Sequence, residues 1–198
     1  IDAGASFNGY ACDITRTYSK ADDEFAALIE RFDELQQELV GEVRAGVDFA
    51  DLHVSCHRKI GALLDETGLA KGDPDDLIEA DVTSAFFPHG LGHLLGLQVH
   101  DVGGRMGDDT GTVVDPPSGH PYLRMTRTIE ADHVLTIEPG LYAIDMLQEN
   151  LKGSPGYDMV DRKKYEWLKP YGGIRIEDDV RVLADGCENL TRDAFAAN

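Results

Sequence analysis

Four acidic residues of this 198-residue chain each stand beside an isoleucine in a segment that reads as β-strand: Asp2 after Ile1, Asp13 before Ile14, Glu138 after Ile137 and Glu177 after Ile176. A carboxylate buried without a partner is costly, so such groups are normally ion-paired, hydrogen-bonded or bound to a cation. The basic residues close by are chiefly Arg16 and Arg175. Two arginines do not balance the set, whereas a pair of divalent cations would. Any one of these acids alone reads as facing solvent from an edge strand. The set gains meaning beside the glycine- and histidine-rich run Phe86-Phe87-Pro88-His89-Gly90-Leu91-Gly92-His93, which continues to Val99-His100-Asp101. Oxygen-rich ligation with a single imidazole suits manganese or cobalt, or zinc, over a thiolate-held structural metal.

The elements that must position these groups follow from pattern. Asn8-Gly9 between two strand-like runs predicts a hairpin with a two-residue turn. In that register Asp2 lies opposite Thr15, and Asp13 is its diagonal neighbour on the same face. Phe25, Leu28, Ile29, Phe32, Leu35, Leu39 and Val43 form one apolar stripe, predicting a long helix that stops near Gly46, with Ser19 and Asp22 as a capping pair. A second helix is expected from Asp48, burying Leu52, Cys56, Ile60, Leu63 and Leu64. Its His53 and His57 are four apart but have no acidic partner placed with them, and they read as surface or packing residues. The glycines of 86–101 imply backbone packed close to a neighbour. Residues 102–121 read as a loop, 134–142 as one strand ended by Pro-Gly, and 145–170 as a short helix and loop. The run 172–183 reads as a half-buried strand with Arg175, Glu177 and Asp179 on one face. These elements predict an α+β fold, an antiparallel sheet flanked by helices, in one domain over 1–198.

Composition narrows the partners. Eighteen basic against 37 acidic residues give a formal charge of -19, which disfavours nucleic acid and anionic lipid surfaces. Most of that excess reads as a solvated acidic surface. Apolar runs fall far short of the roughly 18 residues that span a bilayer, so no membrane segment is expected and the reading is cytoplasmic. Cys12, Cys56 and Cys187 are too few and too scattered for a disulfide framework or thiolate zinc site.

The motifs in order are Asp2-Ala3-Gly4 with Gly9-Tyr10 and Asp13-Ile14-Thr15-Arg16-Thr17, His89-Gly90-Leu91-Gly92-His93 to Asp101, Thr136-Ile137-Glu138-Pro139-Gly140, and Gly173-Ile174-Arg175-Ile176-Glu177-Asp178. Together they resemble the pita-bread metallopeptidases, which include Xaa-Pro dipeptidases, aminopeptidases P, methionine aminopeptidases and metal-free creatinases. The 39-residue step from Glu138 to Glu177 contains Trp167-Leu168-Lys169-Pro170-Tyr171-Gly172-Gly173. With Leu123-Arg124-Met125-Thr126-Arg127 and Glu188-Asn189-Leu190-Thr191-Arg192, it resembles the bacterial Xaa-Pro dipeptidase and organophosphorus acid anhydrolase branch and disfavours methionine aminopeptidase.

The resemblance implies a curved antiparallel sheet flanked by helices and two divalent metal ions, manganese before cobalt or zinc. Asp2 would bind one ion and His93 the other, Asp13 and Glu177 would bridge both, and Glu138 would complete the second ion's shell. A hydroxide between the ions would attack an Xaa-Pro dipeptide, with Glu138 taking and returning its proton. His89 and His100 resemble histidines that contact substrate and steady the tetrahedral intermediate, and Arg175 resembles an arginine that pairs with the site's carboxylates. His120 and His133 match no motif and read as structural. Relatives carry an N-terminal domain and the start of the catalytic domain ahead of the position of Ile1. The resemblance therefore implies a fold truncated on its N-terminal side and a homodimer in the intact protein. It leaves open organophosphate hydrolysis as a side reaction, and as an alternative class a metal-free pita-bread binding module or an inactive fragment.

Overall fold

A computed structural model describes residues 1–197. Helices and short antiparallel ladders alternate along the chain, as an α+β fold requires. The chain divides into two compact units.

The first unit comprises residues 1–53, 90–139 and the chain from 175 onward. It opens with β1 (Asp2–Ala3), β2 (Ser6–Phe7), β3 (Tyr10–Ala11) and β4 (Ile14–Thr15). Asn8 and Gly9 both take positive φ, 51° and 87°, the backbone of the two-residue turn that their types favour. Phe7 pairs with Tyr10 and Asp2 with Thr15, the expected register. The ladder opens between its two halves, at Gly4–Ala5 opposite Cys12–Asp13. A Cβ on Gly4 would collide with the Cys12 carbonyl there.

Helix α1 (Glu24–Val40) buries Phe25, Leu28, Phe32, Leu35 and Leu39 and lies against β5 (Val134–Ile137). Each of those side chains contributes roughly 1.5–3 kcal/mol of burial. The cap is Asp23, whose carboxylate accepts from the N–H groups of Phe25 and Ala26, not the expected Ser19–Asp22 pair. The helix also ends at Gly41 rather than near Gly46, so Val43 is buried from the turn that follows. β5 pairs with β8 (Asp178–Leu183), and β8 pairs with β9 (Gly186–Asn189), which leads into the closing helix α8 (Leu190–Ala196).

The second unit, Val54–His89 and Gly140–Ile174, takes most of α2 (Phe49–Thr67), together with α3 (Pro74–Glu79) and α4 (Val82–Phe86). It also holds β6 (Gly140–Tyr142), α5 (Asp145–Asn150), α6 (Pro155–Met159) and α7 (Arg162–Leu168), and the strand β7 (Gly173–Arg175) that pairs with β6 begins in it. Residues 145–170 are thus more helical than expected. Cys56, Ile60, Leu63 and Leu64 on α2 are fully buried, as are Leu77, Phe86, Leu141 and Leu168. His57 is buried too, its Nδ1 2.9 Å from Thr83 Oγ1.

Two expected strands are each broken in two. Residues 134–142 split at Glu138-Pro139, where proline offers no N–H to continue a ladder. Residues 172–183 split at Ile176-Glu177. Of the four acids assigned to strands, only Asp2 lies within one, and Asp13, Glu138 and Glu177 stand at breaks. At a break the backbone leaves strict alternation, which lets side chains from different strands turn toward one point.

Candidate metal centre

Three backbone hydrogen bonds frame the site, all within the first unit. Glu177 N–H donates to the Thr15 carbonyl at 3.0 Å, fastening the β8 side to β4. Thr136 N–H donates to His93 O at 3.0 Å and Glu138 N–H to Leu91 O at 2.8 Å, laying the histidine segment along β5. That approach needs Gly92, because a Cβ there would run into the Thr136 carbonyl.

On this frame one oxygen or nitrogen from each of Asp13, His93 and Glu177 falls within 4.8 Å of the others. His93 Nε2 lies 3.4 Å from Glu138 Oε1 and 3.7 Å from Asp13 Oδ2. The opposite ring nitrogen, Nδ1, faces the Leu94 carbonyl at 3.0 Å. A carbonyl only accepts, so Nδ1 carries the proton and the neutral ring turns the Nε2 lone pair toward the carboxylates. Burial pushes the His93 pKa down to about 4, so the ring is neutral near pH 7. A lone pair aimed at two carboxylate oxygens is repulsive unless a proton or a cation stands between them.

The acids press the same way. Burial, and then the Glu177 charge, push Glu138 up to about 8. Burial pushes Glu177 up to about 7, and burial followed by the Asp2 charge raises Asp13. Arg175 is the cation among them. Its NH2 pairs with Asp2 Oδ2, its Nε lies 3.9 Å from Glu177 Oε2, and its charge opposes the rise at Asp13, Glu138 and Glu177. Thr15 Oγ1 takes the Arg175 Nε–H at 3.3 Å and donates to Glu177 Oε2 at 2.7 Å. One guanidinium against four carboxylates leaves a deficit of positive charge, and the oxygen-rich donor set with one imidazole nitrogen fits divalent cations.

Residues 1–184 match metallopeptidase family M24. The chain belongs to that family. An Xaa-Pro dipeptidase of Shewanella loihica is 53% identical over 193 residues, 98% of this chain and 44% of that protein. The chain therefore spans less than half the length of such relatives. Among solved structures, the aminopeptidase P of Pseudomonas aeruginosa superposes with a TM-score of 0.71 at 32% identity, covering 96% of this chain and 37% of that one. A zinc-substituted Escherichia coli aminopeptidase P in complex with product gives 0.65 at 32% identity, over 97% and 37%. The fold is thus the pita-bread fold of M24 enzymes, of which this chain matches a part, and a metallopeptidase of this family works through divalent metal.

The remaining residues singled out from this M24 sequence are distributed as follows. Asp2 sits at the exposed edge of the cluster, joined to it through Arg175. His100 is exposed, with its ring edge-on to His93 at 4.3 Å between centroids. His89 belongs to the second unit, where its Nε2 lies 2.8 Å from the Tyr142 hydroxyl. His53 is buried beside His120, Nε2 to Nδ1 3.0 Å, rather than at the surface. Arg16 does not reach the Glu177 carboxylate. It binds the Glu177 carbonyl at 2.7 Å and the Asp178 carboxylate at 2.5 Å.

Three contributors lay outside the sequence reading. Thr15 and Thr136 hold site atoms through hydroxyls, the latter accepting His93 N–H at 3.1 Å. Register against Asp2 could have flagged Thr15, and the two-residue spacing before Glu138 could have flagged Thr136. Gln36, fully buried on α1, donates to the Ile137 carbonyl just ahead of Glu138 at 3.2 Å. No local pattern signals that contact.

Proposed function

We propose that this chain carries the metal centre of a dipeptidase that hydrolyses Xaa-Pro dipeptides. Two divalent cations, manganese before cobalt or zinc, would be held by Asp2, Asp13, His93, Glu138 and Glu177. The observation that carries the reading is the neutral His93 Nε2 turned onto the half-buried Asp13 and Glu138, which share one arginine with the buried Glu177. Identity of 50–54% to Xaa-Pro dipeptidases over nearly the whole chain supports the substrate class. When bound, such cations supply Lewis-acid polarisation of a carbonyl and a water of lowered pKa.

The chain's own groups divide the remaining work. Asp13 and Glu177, central to the cluster, would hold the cations together with Asp2, His93 and Glu138. The Glu138 carboxylate would accept and return a proton. His100, beside His93, and His89 would contact the scissile group, and Arg175 would hold Asp2 and Glu177 in place. A dipeptide also brings a free carboxylate. Arg124 is exposed, its charge reaches His93, and its guanidinium has no ion pair among the described residues. It is suited to receive that carboxylate. The same resemblance implies a cytoplasmic homodimer. Among the described residues no helix is long and apolar enough to cross a membrane.

The test is dialysis of the protein, at its natural length, against a chelator, followed by Mn²⁺ and a panel of Xaa-Pro dipeptides. Proline-dependent hydrolysis should vanish and return. Turnover indifferent to both treatments would overturn the reading.

A further inference from the structure

Asp13 sits where the N-terminal hairpin opens, between β3 and β4, so its backbone N–H has no partner across the hairpin. That N–H donates instead to Asp179 Oδ2 at 3.1 Å. Asp179 is buried on β8, two residues beyond Glu177 and in register with Thr136, the residue whose hydroxyl contacts His93 N–H and Glu138. Its own N–H is fixed by Thr191 Oγ1 at 2.9 Å. The Asp179 carboxylate is thus anchored from behind and presents one oxygen to the main chain of Asp13.

The other oxygen, Oδ1, is buried with no hydrogen-bond partner among the described residues. A carboxylate kept for structure fills its lone pairs, as the neighbouring Asp178 does with Arg16, Arg192 and Asn189. Among the described residues the Asp179 carboxylate accepts from Asp13 N–H alone. A buried acid is a costly way to satisfy one amide unless the position of that amide matters.

We infer that Asp179 is a positioning residue for the metal centre, holding the main chain of Asp13 so that its side chain meets His93 and Glu177. The inference rests on the reading of Asp13 as a ligand. The carboxylate acts through its acceptor oxygen, so asparagine, which keeps a carbonyl oxygen there, should substitute and alanine should not.

The test is Mn²⁺ affinity, by calorimetry without substrate, of the natural-length protein and its Asp179→Ala and Asp179→Asn variants. Alanine should weaken binding by roughly 10- to 100-fold, the range for losing the partner of a ligand, and asparagine should stay within about threefold of wild type. A residue that merely stabilises the fold would shift thermal unfolding in both variants and leave affinity alone. Alanine matching wild type, or asparagine as weak as alanine, would overturn the inference. If the alanine variant lacks the native circular dichroism spectrum, asparagine decides alone: within threefold supports the inference and a tenfold loss overturns it. Wild-type protein that takes up no Mn²⁺ would overturn the reading of the site instead.

Discussion

Glu177 and Asp178 are neighbours in the chain and both are buried, yet their surroundings differ completely. Asp178 accepts from Arg16 at 2.5 Å, Arg192 Nε at 2.7 Å and Asn189 Nδ2 at 2.8 Å. Burial alone would raise its pKa, but Asn189, Arg16 and Arg192 together hold it below the ordinary value. Arg192 goes on to Asp33 and to Gln36, which reaches the Ile137 carbonyl, so the Asp178 centre braces β5 as well as β8. Glu177 has the Thr15 hydroxyl and a guanidinium at 3.9 Å, and burial leaves it raised to about 7. A buried acid with its donors filled is a structural part. A buried acid grouped with half-buried ones and short of donors marks a site that calls for positive charge.

The largest expected effect concerns pH in the metal-free protein. Glu138 and Glu177 have folded pKa values of about 8 and about 7, above the ordinary 4.5. Below pH 4.5 both states hold the protons and nothing is lost. As pH rises from there to about 8 the unfolded chain releases protons that the folded one keeps. Stability should therefore fall by about 1.4 kcal/mol per pH unit for each such proton. Thermal unfolding from pH 6.5 to 8, above the range where the depressed His93 and His133 add stability as pH rises, measures it, and saturating Mn²⁺ should flatten the slope. A metal-free protein that gains stability over this range would erase the contrast.

Next comes the saturated centre. Asp178→Ala strands two arginines, and removing one partner of a buried pair costs about 3–5 kcal/mol, toward the lower end here because Arg192 keeps Asp33 and is partly exposed. Chemical denaturation should report that loss, together with Mn²⁺ affinity less affected than stability. The smallest free-energy change belongs to Asp13→Asn, which removes one charge from the deficient cluster. Mn²⁺ affinity should drop by about 100-fold, roughly 2.7 kcal/mol, while the metal-free variant unfolds no more easily than wild type. Easier unfolding with unchanged affinity would give Asp13 the Asp178 kind of role.

Much of the frame was legible because it is written locally. Asn8-Gly9 sets the hairpin register and so puts Asp2 opposite Thr15, and apolar spacing alone locates α1 and α2. The breaks at Pro139 and Glu177 were misread as continuous strand, since alternation of residue types carries on through a place where the ladder does not. The cap was misassigned because Ser19, Asp22 and Asp23 all suit a helix start, and only the observed hydrogen bonds select Asp23. The candidate ligands could be named, and alternation set Asp178 on the face opposite Glu177 and Asp179, yet what each of these three successive acids meets does not follow from pattern. Their differences come from Thr15, Arg192 and Asp13, each more than ten residues away and brought in by folding.

Gly92 bears on how freely this protein can vary. The His93 segment is laid against β5 by main-chain bonds with no room for a methyl group at Gly92, so backbone thickness sets how near the segment comes to Glu138. Substitution at Gly92 would act as a displacement of His93, and a chain drifting in sequence would find more latitude almost anywhere in its core than at this one unadorned position.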